Sequence, residues 1–278
     1  MKLVLSTGIF DHIGIDKLPG LLPRIKKAGF RYLEVVDRLE FDECGNILDE
    51  LRKKAKDCGI EIPGWHLAQF SPFHEKKVSG AAAVDYMKRS IEKGARIGAR
   101  NHVLHWFYRF TDKSYDARWR DIVGEWVDQA RIFGVRLLME TVPYKPSNQR
   151  YVMASEIIDF VRNYPPEVMS VCVDVNHSNL KEKLPKVIHC VEDRLVSLHL
   201  SDNDGYEEKH WLPGQGVIDF PSLFASLEAV NFDGMLVMEV NKWCERPHDP
   251  AAIRKLYEFG MSLLDTRRPH PDTPELAI

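Results

Sequence analysis

The sequence predicts an α/β protein built as a single (β/α)₈ barrel. Short runs rich in Val, Ile, Leu and Met alternate with longer segments whose apolar residues recur at helical spacing, and eight such runs can be counted. Runs such as "SVCVDV" and "MLVMEV" are apolar almost throughout, as expected of parallel strands buried on both faces. A chain of 278 residues suits one such barrel. A doubly wound open sheet would fit the same alternation, but no GxGxxG motif follows the first run to support it.

The order of strands and helices follows from this pattern. Segments such as "NILDELRKKAKDCG" and "WRDIVGEWVDQARIFG" have helical spacing, and several helical segments end at glycine, as helix C-caps favour. We expect the barrel to occupy residues 1–266, and residues 267–278 to form a proline-rich C-terminal tail on the surface or against a neighbouring subunit. The predicted strands are Lys2–Ser6, Tyr32–Val36, Glu61–His66, His102–His105, Arg136–Glu140, Ser170–Asp174, Ser197–His199 and Met235–Glu239.

Composition favours a cytoplasmic protein and gives no indication of nucleic acid or a membrane as partner. The net charge of −3 gives no broad attraction to nucleic acid or to an anionic membrane. No apolar stretch reaches the roughly 20 residues needed to cross a bilayer, and the N-terminal run meets Asp11 too early for a secretory signal. The five cysteines are scattered without a CxxC pair, which favours reduced thiols over a cysteine-bound zinc. A homo-oligomer remains open.

Polar residues close six of the predicted strands. In a (β/α)₈ barrel the carboxyl ends of the strands converge on one face, where catalysis occurs. A single polar residue at such a position is often satisfied by a backbone partner, but six on consecutive strands indicate a site. These residues are His66, His105, Glu140, Asp174, His199 and Glu239.

Three of the strand-end residues are acids, which predicts a divalent metal ion. Buried carboxylates cost several kcal/mol each unless they are paired or bound to metal, and converging acids repel one another. The strand ends offer no Arg or Lys to neutralise them. A donor set with several carboxylates and one imidazole suits Mn²⁺, Mg²⁺, Co²⁺ or Zn²⁺ and does not choose among them. The predicted ligands are Glu140, Asp174, His199 and Glu239.

The segments around these residues resemble a known superfamily. "LLMETV", "VCVDVNH", "SLHLSDND", "LPGQGVIDF" and "LVMEVN" are similar to motifs of the xylose-isomerase-like TIM-barrel superfamily, in particular its sugar (phosphate) isomerase and epimerase branch. The likeness runs from Leu3 to about Leu264. It implies that the four predicted ligands hold the metal, that Glu140 and Glu239 also form the catalytic acid/base pair, and that His177 contacts the substrate.

The residue types fit the isomerase chemistry independently of the resemblance. Isomerising or epimerising a ketose requires removal of a proton next to a carbonyl, and a divalent metal stabilises the enediolate that forms. Two carboxylates can remove the proton from one face and return it to another. We therefore expect a metal-dependent isomerase or epimerase of a small sugar, sugar phosphate or related ketone. The predicted substrate contacts are His66, His105, His177, His210 and Trp106, although Trp106 suits packing equally well.

A trinuclear zinc phosphodiesterase is the main alternative. The endonuclease IV group of the same superfamily binds three zinc ions, and the extra ligands that this likeness implies are His66, His105, His177, Glu208 and His210. Glu208 stands where that group has aspartate, and His105 is followed by Trp106 where that group has a Pro-Gly turn. The arginine that ketose 3-epimerases carry near the position of His210 is also missing, which leaves the substrate open. A non-catalytic sugar-binding barrel is a further alternative.

The stretch "DNDGYEEKHWLPGQG" predicts a long loop over the site, directly after the strand that ends in His199. Gly214 and Gly216 allow a tight backbone there. A solvated acidic loop is one interpretation of Asp202, Asp204, Glu207 and Glu208, and it is favoured for Asp204 and Glu207.

Overall fold

Eight parallel strands close into a barrel, which confirms the predicted fold. The computed structural model describes residues 1–43, 46–68, 80–106, 114–143, 151–241 and 246–265. The strands are β1 Lys2–Ser6, β2 Tyr32–Val36, β3 Glu61–His66, β4 Asn101–His105, β5 Arg136–Glu140, β6 Met169–Asp174, β7 Leu195–Leu200 and β8 Met235–Met238. Each strand pairs with the next along the chain, and β1 pairs with β8 to close the ring, with Leu3 opposite Leu236.

The strand bounds agree with the sequence prediction to within two residues. β4 and β6 each begin one residue earlier than expected, and β7 is longer at both ends. Glu239, predicted as the last residue of the eighth strand, directly follows β8. The predicted tail, residues 267–278, lies outside the described residues.

Helices follow the strands around the outside of the barrel. Gly59 and Gly134, two of the predicted caps, have φ of +62° and +61°, the left-handed conformation that lets a helix end without strain on a side chain. Among the described residues, none of the helices combines the length and apolarity that a bilayer crossing needs. The helices are α1 Leu18–Ala28, α2 Glu40–Glu43, α3 Ile47–Cys58, α4 Gly80–Ile97, α5 Ser114–Phe133, α6 Ala154–Val161, α7 Val175–Asn179, α8 Leu184–Val191, α9 Phe220–Ala229 and α10 Pro250–Leu264.

A small apolar cluster fills the inside of the barrel beneath the strand ends. Its buried members are Val4, Val103, Leu138, Cys172, Met235 and Val237. Successive side chains of a strand alternate between its faces, so residues two positions further on share the interior. His105, Glu140, Asp174 and Glu239 stand two positions after members of this cluster. The interior packing therefore forms a floor that holds the polar layer at the mouth.

Candidate functional site

The carboxyl ends of six strands bring the predicted site residues together. Glu140, Asp174 and His199 are fully buried, whereas the side chain of Glu239 is 16% exposed. The cluster therefore lies deep at the mouth and is open on the side of Glu239. Its strand-end members are His66 in β3, His105 in β4, Glu140 in β5, Asp174 in β6, His199 in β7 and Glu239 directly after β8.

The four predicted metal ligands form one compact group. Each of Glu140, Asp174, His199 and Glu239 offers a donor atom, and these atoms all lie within 4.8 Å of one another. His199 Nδ1 is 2.8 Å from Glu140 Oε1 and 3.0 Å from Glu239 Oε2. The geometry therefore places two carboxylates from different strands on the same imidazole nitrogen.

The donor atoms of this group are left without ordinary hydrogen bonds. Both oxygens of Glu140, Asp174 Oδ2, Glu239 Oε2 and His199 Nδ1 are buried and make no hydrogen bond of standard geometry within the described part of the chain. Orphaned buried acceptors of this kind cost about 1–3 kcal/mol each, and more when charged. A divalent cation would satisfy them together, so the donor set fits a metal ion of the kind bound by carboxylate and imidazole.

Glu140 also contacts two histidines through its other carboxylate oxygen. Its Oε2 lies 2.6 Å from His105 Nε2 and 3.5 Å from His66 Nε2, and the two Nε2 atoms are 3.3 Å apart. His66 Nδ1 donates to the carbonyl oxygen of Leu67 at 3.0 Å, which leaves Nε2 as an acceptor in the neutral ring. His66, Glu140 and His199 make a second group with metal-binding spacing.

A third group of donors joins a helix to the long loop after β7. His177 in α7, Glu208 and His210 offer donor atoms within 4.8 Å of one another. Glu208 Oε1 is 2.8 Å from His210 Nε2 and 3.4 Å from His177 Nε2. His177 is held by its backbone N–H, which donates to Asp174 Oδ1 at 3.0 Å, and by Nδ1, which donates to the carbonyl oxygen of Thr141 at 2.8 Å. The structure thus brings all five extra ligands of the trinuclear alternative to the site.

Burial and the neighbouring imidazoles set the charge of the acids. Burial raises the pKa of Asp174 to about 6. Burial also acts on Glu140, but His105 and His199 outweigh it and hold the pKa of that carboxyl well below its usual value. The pKa of Glu239 is lowered in the same way, because His199 and His210 overcome the effect of burial. Glu140 and Glu239 are therefore ionised at neutral pH.

The same acids change the pKa values of the neighbouring histidines. Burial disfavours the charged ring of His66, yet Glu140 raises its pKa to about 9. His177 and His210 have a pKa of about 10 and about 9, since Asp174 and Glu208 outweigh burial. At His105 burial dominates and lowers the pKa despite Glu140. Protons on these rings balance the acids in the ion-free protein, so a bound cation would have to displace some of them.

The loop between β7 and α9 is held by one buried carboxylate. Asp202, one of the acids that a solvated loop would also have explained, is fully buried. Its oxygens accept the backbone N–H groups of Gly214 at 2.8 Å, Gly216 at 2.9 Å and Ile218 at 3.1 Å. A Cβ on Gly216 would lie 2.0 Å from the carbonyl oxygen of Asn203, so the predicted need for glycine there is confirmed. This arrangement fixes the loop that carries Glu208 and His210.

The structure adds two findings about residues near the site to the sequence analysis. Glu34, in the middle of β2, was missed: it is fully buried, and its Oε1 lies 3.2 Å from His199 Nε2. The signal was an acid inside the apolar run "YLEVV", which does not end its strand. Trp106 is 6% exposed, and its ring packs against the rings of Trp119 and Phe160 with centroids 5.8 and 5.1 Å away. Packing accounts for Trp106, and its contact with a substrate stays a prediction.

Fold and site together define a class of protein: a (β/α)₈ barrel with acids and imidazoles gathered at the carboxyl ends of its strands. The chain belongs to the xylose isomerase-like TIM barrel family, which matches residues 22–262. The resemblance inferred from the motifs is thereby confirmed.

Several known proteins are similar to the chain. The 3-dehydro-D-guloside 4-epimerase of Escherichia coli K12 is 27% identical over 80% of this chain and 87% of its own length. The L-ribulose-5-phosphate 3-epimerase UlaE of Salmonella paratyphi C is 24% identical over 70% and 69%. The matched region spans only 41% and 61% of two uncharacterized proteins of Methanocaldococcus jannaschii. A solved D-psicose 3-epimerase in the presence of D-fructose superposes with a TM-score of 0.75, at 20% identity and 95% and 99% coverage, which supports the fold alone.

Proposed function

We propose that the protein is a metal-dependent epimerase or isomerase of a small keto sugar, free or phosphorylated. The observation that carries the proposal is the placement of Glu140 and Glu239 on one imidazole nitrogen, at 2.8 and 3.0 Å from His199 Nδ1. Two ionised carboxylates from β5 and the end of β8 thereby reach the same small space. Such a pair can remove a proton next to a carbonyl from one face and return it to another.

Each of the two carboxylates acts on the substrate proton. One removes the proton from the carbon next to the carbonyl, and the other returns a proton. Return to the opposite face of the same carbon gives epimerisation, and return to the neighbouring carbon gives isomerisation. Glu140 and Glu239 are kept ionised by the adjacent imidazoles, so either can serve as the base at neutral pH.

A divalent cation held by Glu140, Asp174, His199 and Glu239 would polarise the substrate carbonyl and stabilise the negative charge that develops on its oxygen. The imidazoles of His66, His105, His177 and His210 surround this group and can donate hydrogen bonds to sugar hydroxyls. Burial of the site excludes water, which strengthens these charge interactions.

The relatives favour a sugar as substrate. Two of the similar proteins are named as epimerases, one of a keto glycoside and one of a ketose phosphate. Both reactions invert a carbon near a carbonyl, which is the chemistry that the paired carboxylates suit. The choice between a free and a phosphorylated sugar is left to experiment.

The test is exchange of the substrate proton. The protein, purified without chelator, is incubated in deuterated water with ketoses, ketose 5-phosphates and keto glycosides, and deuterium at the carbon next to the carbonyl is followed by NMR. Glu140→Gln and Glu239→Gln should each reduce exchange by more than about 10³-fold while the melting temperature stays near that of the wild type. Asp193→Asn, which removes an exposed partner of Arg162, is the matched control for loss of a carboxylate. Metal retention without exchange on any substrate would favour the non-catalytic barrel.

A trinuclear phosphodiesterase is the second candidate, because the structure places three donor groups side by side. Glu140 belongs to two of them, and Glu208 links His177 to His210 in the third. Such a centre would direct a hydroxide against phosphorus instead of removing a carbon-bound proton. Elemental analysis separates the two proposals: about one divalent ion per chain agrees with the epimerase, and about three zinc ions would favour the hydrolase.

A further inference from the structure

We propose that Glu34 is a positioning residue, whose carboxylate holds Nε2 of His199 and thereby presents Nδ1 of the same ring to the metal. The proposal rests on the proposed function, because it assumes a cation at the group of Glu140, Asp174, His199 and Glu239. It adds a residue that touches none of the other three ligands in any described ion pair. Glu34 would set the affinity of the centre without contacting substrate.

The two nitrogens of His199 face different partners. Nδ1 points to the ligand group, where Glu140 Oε1 and Glu239 Oε2 lie at 2.8 and 3.0 Å. Nε2 points away from it, to Glu34 Oε1 at 3.2 Å. The side chains of His199 and Glu34 are both fully buried. One imidazole therefore bridges the ligand group and a second, deeper carboxylate.

The burial of Glu34 requires an explanation. A carboxylate withdrawn from water costs several kcal/mol unless a donor or a cation meets it. In the described part of the chain, His199 is the ion-pair partner of Glu34, and neither lysine nor arginine pairs with it. A carboxyl group kept inside an otherwise apolar barrel strand indicates a role at the ring that it meets.

The neighbouring strand is shaped to admit the Glu34 side chain. Gly64 in β3 pairs with Glu34, and a Cβ on Gly64 would lie 2.9 Å from Glu34 Cγ and 3.0 Å from Glu34 Oε2. The pairing of β2 with β3 also shifts register between Tyr32 and Glu34. Such irregularities often re-aim side chains next to functional sites. The backbone of two strands thus accommodates this carboxylate.

The chemistry of the imidazole connects Glu34 to the metal. A neutral ring that binds metal through Nδ1 must carry its proton on Nε2, and that N–H needs an acceptor. Glu34 supplies one. The opposite tautomer would place the proton on Nδ1 and block the lone pair that the cation needs. Carboxylates behind metal-binding histidines typically contribute about 10- to 100-fold to metal affinity.

The first test measures metal affinity. Co²⁺ binding to chelator-stripped protein is followed by competition with a chromophoric chelator. Glu34→Leu should weaken binding by about 10- to 100-fold. Glu34→Gln should fall between this variant and the wild type, since an amide oxygen still accepts the Nε2 proton. Asp37→Asn is the control: Asp37 is also buried, close to β2, but it pairs with Lys93 at 2.9 Å, so this variant should lower stability without changing Co²⁺ affinity.

The second test observes the tautomer and does not depend on activity. In ¹⁵N-labelled, metal-free wild type, at a pH where the ring is neutral, the long-range ¹H–¹⁵N spectrum should show His199 protonated at Nε2. Metal-free Glu34→Leu should show loss of this preference. Should Glu34→Leu fail to fold, Gly64→Ala displaces the carboxylate without removing it and should also weaken Co²⁺ binding.

The outcomes distinguish a failure of the proposed metal centre from a failure of the role of Glu34. Wild-type protein that binds no divalent ion overturns the proposed function and this inference together. Wild-type protein that binds Co²⁺, with folded Glu34→Leu binding it equally well, or Gly64→Ala doing so if Glu34→Leu does not fold, overturns the role of Glu34 alone and leaves the metal centre standing.

Discussion

Replacing Asp202 by alanine is expected to open the loop after β7 while the barrel stays folded. Asp202 is fully buried and accepts the backbone N–H groups of Gly214, Gly216 and Ile218, which lie 12 to 16 residues further along the chain. Its own backbone pairs with Trp211 in a short antiparallel bridge, at 2.8 and 3.0 Å. The side chain therefore ties together the far end of the loop.

The size of the effect follows from the number of donors released. The carboxylate also accepts the N–H group of Asn203 at 2.8 Å, so its loss releases four donors. A buried N–H without an acceptor costs about 1–3 kcal/mol, so four released donors cost roughly 4–8 kcal/mol after partial access of water. Because the loop can open by itself, this energy appears as local opening instead of global unfolding. A change of about 3 kcal/mol corresponds to more than about 100-fold faster exchange of the affected amides.

Hydrogen exchange measured by mass spectrometry tests this expectation. Peptides that cover residues 203–218 should exchange more than about 100-fold faster in Asp202→Ala, with the barrel strands unaffected. Asp204→Ala is the matched control, because the partners of Asp204, the N–H groups of Tyr206 and Glu207 and the ammonium of Lys209, are all nearby in the same loop. Unchanged exchange at Gly214 and Gly216 would show that the carboxylate does not hold the loop.

Four further predictions follow from the geometry. Burial lowers the pKa of His102 to about 3, so below about pH 6.5 the unfolded chain gains a proton that the folded chain does not. The free energy of unfolding therefore drops by about 1.4 kcal/mol per pH unit. His102→Gln should remove this contribution in urea titrations between about pH 6.5 and 5. The raised pKa of His199 predicts that Mn²⁺ affinity, measured by calorimetry, already falls as pH decreases toward about 6. The pKa of about 6 at Asp174 predicts that the fall becomes steeper by up to about tenfold per pH unit below pH 6, since a second proton then competes with the ion; a slope that does not change near pH 6 would contradict it. Glu208→Gln should leave the metal content at about one ion per chain by elemental analysis, whereas a drop from three ions to two would favour the hydrolase. Gly216→Ala should accelerate exchange in the loop as Asp202→Ala does, because its Cβ would meet the carbonyl oxygen of Asn203 at 2.0 Å; normal exchange would mean that the backbone can yield there.

The sequence predicted the barrel and most of the site because both depend on short-range pattern. Strands buried on both faces must be apolar along their length, so a polar residue at the end of such a run is conspicuous. His66, Glu140 and His199 were found in this way. Ring closure then brings the ends of successive strands together, so their proximity followed from the fold alone.

What the sequence did not predict depends on contacts between distant segments. Glu34 lies inside its strand, and its partner His199 is five strands further along the chain. Asp202 looked like one of several loop acids, because nothing local shows that three distant N–H groups converge on it. Trp106 follows a strand end, but its ring turns to Trp119 and Phe160. Beyond the last strand residue, the direction of a side chain depends on the helices that pack against it. The local sequence pattern does not predict where those helices lie.

The separate anchoring of strand ligands and loop ligands bears on how the protein could diversify. Glu140, Asp174 and His199 are fixed by the closed ring of strands, whereas Glu208 and His210 lie on a segment tied down at Asp202. Substitutions confined to that segment could alter which molecules the centre accepts. A new specificity could therefore evolve while the barrel keeps its fold.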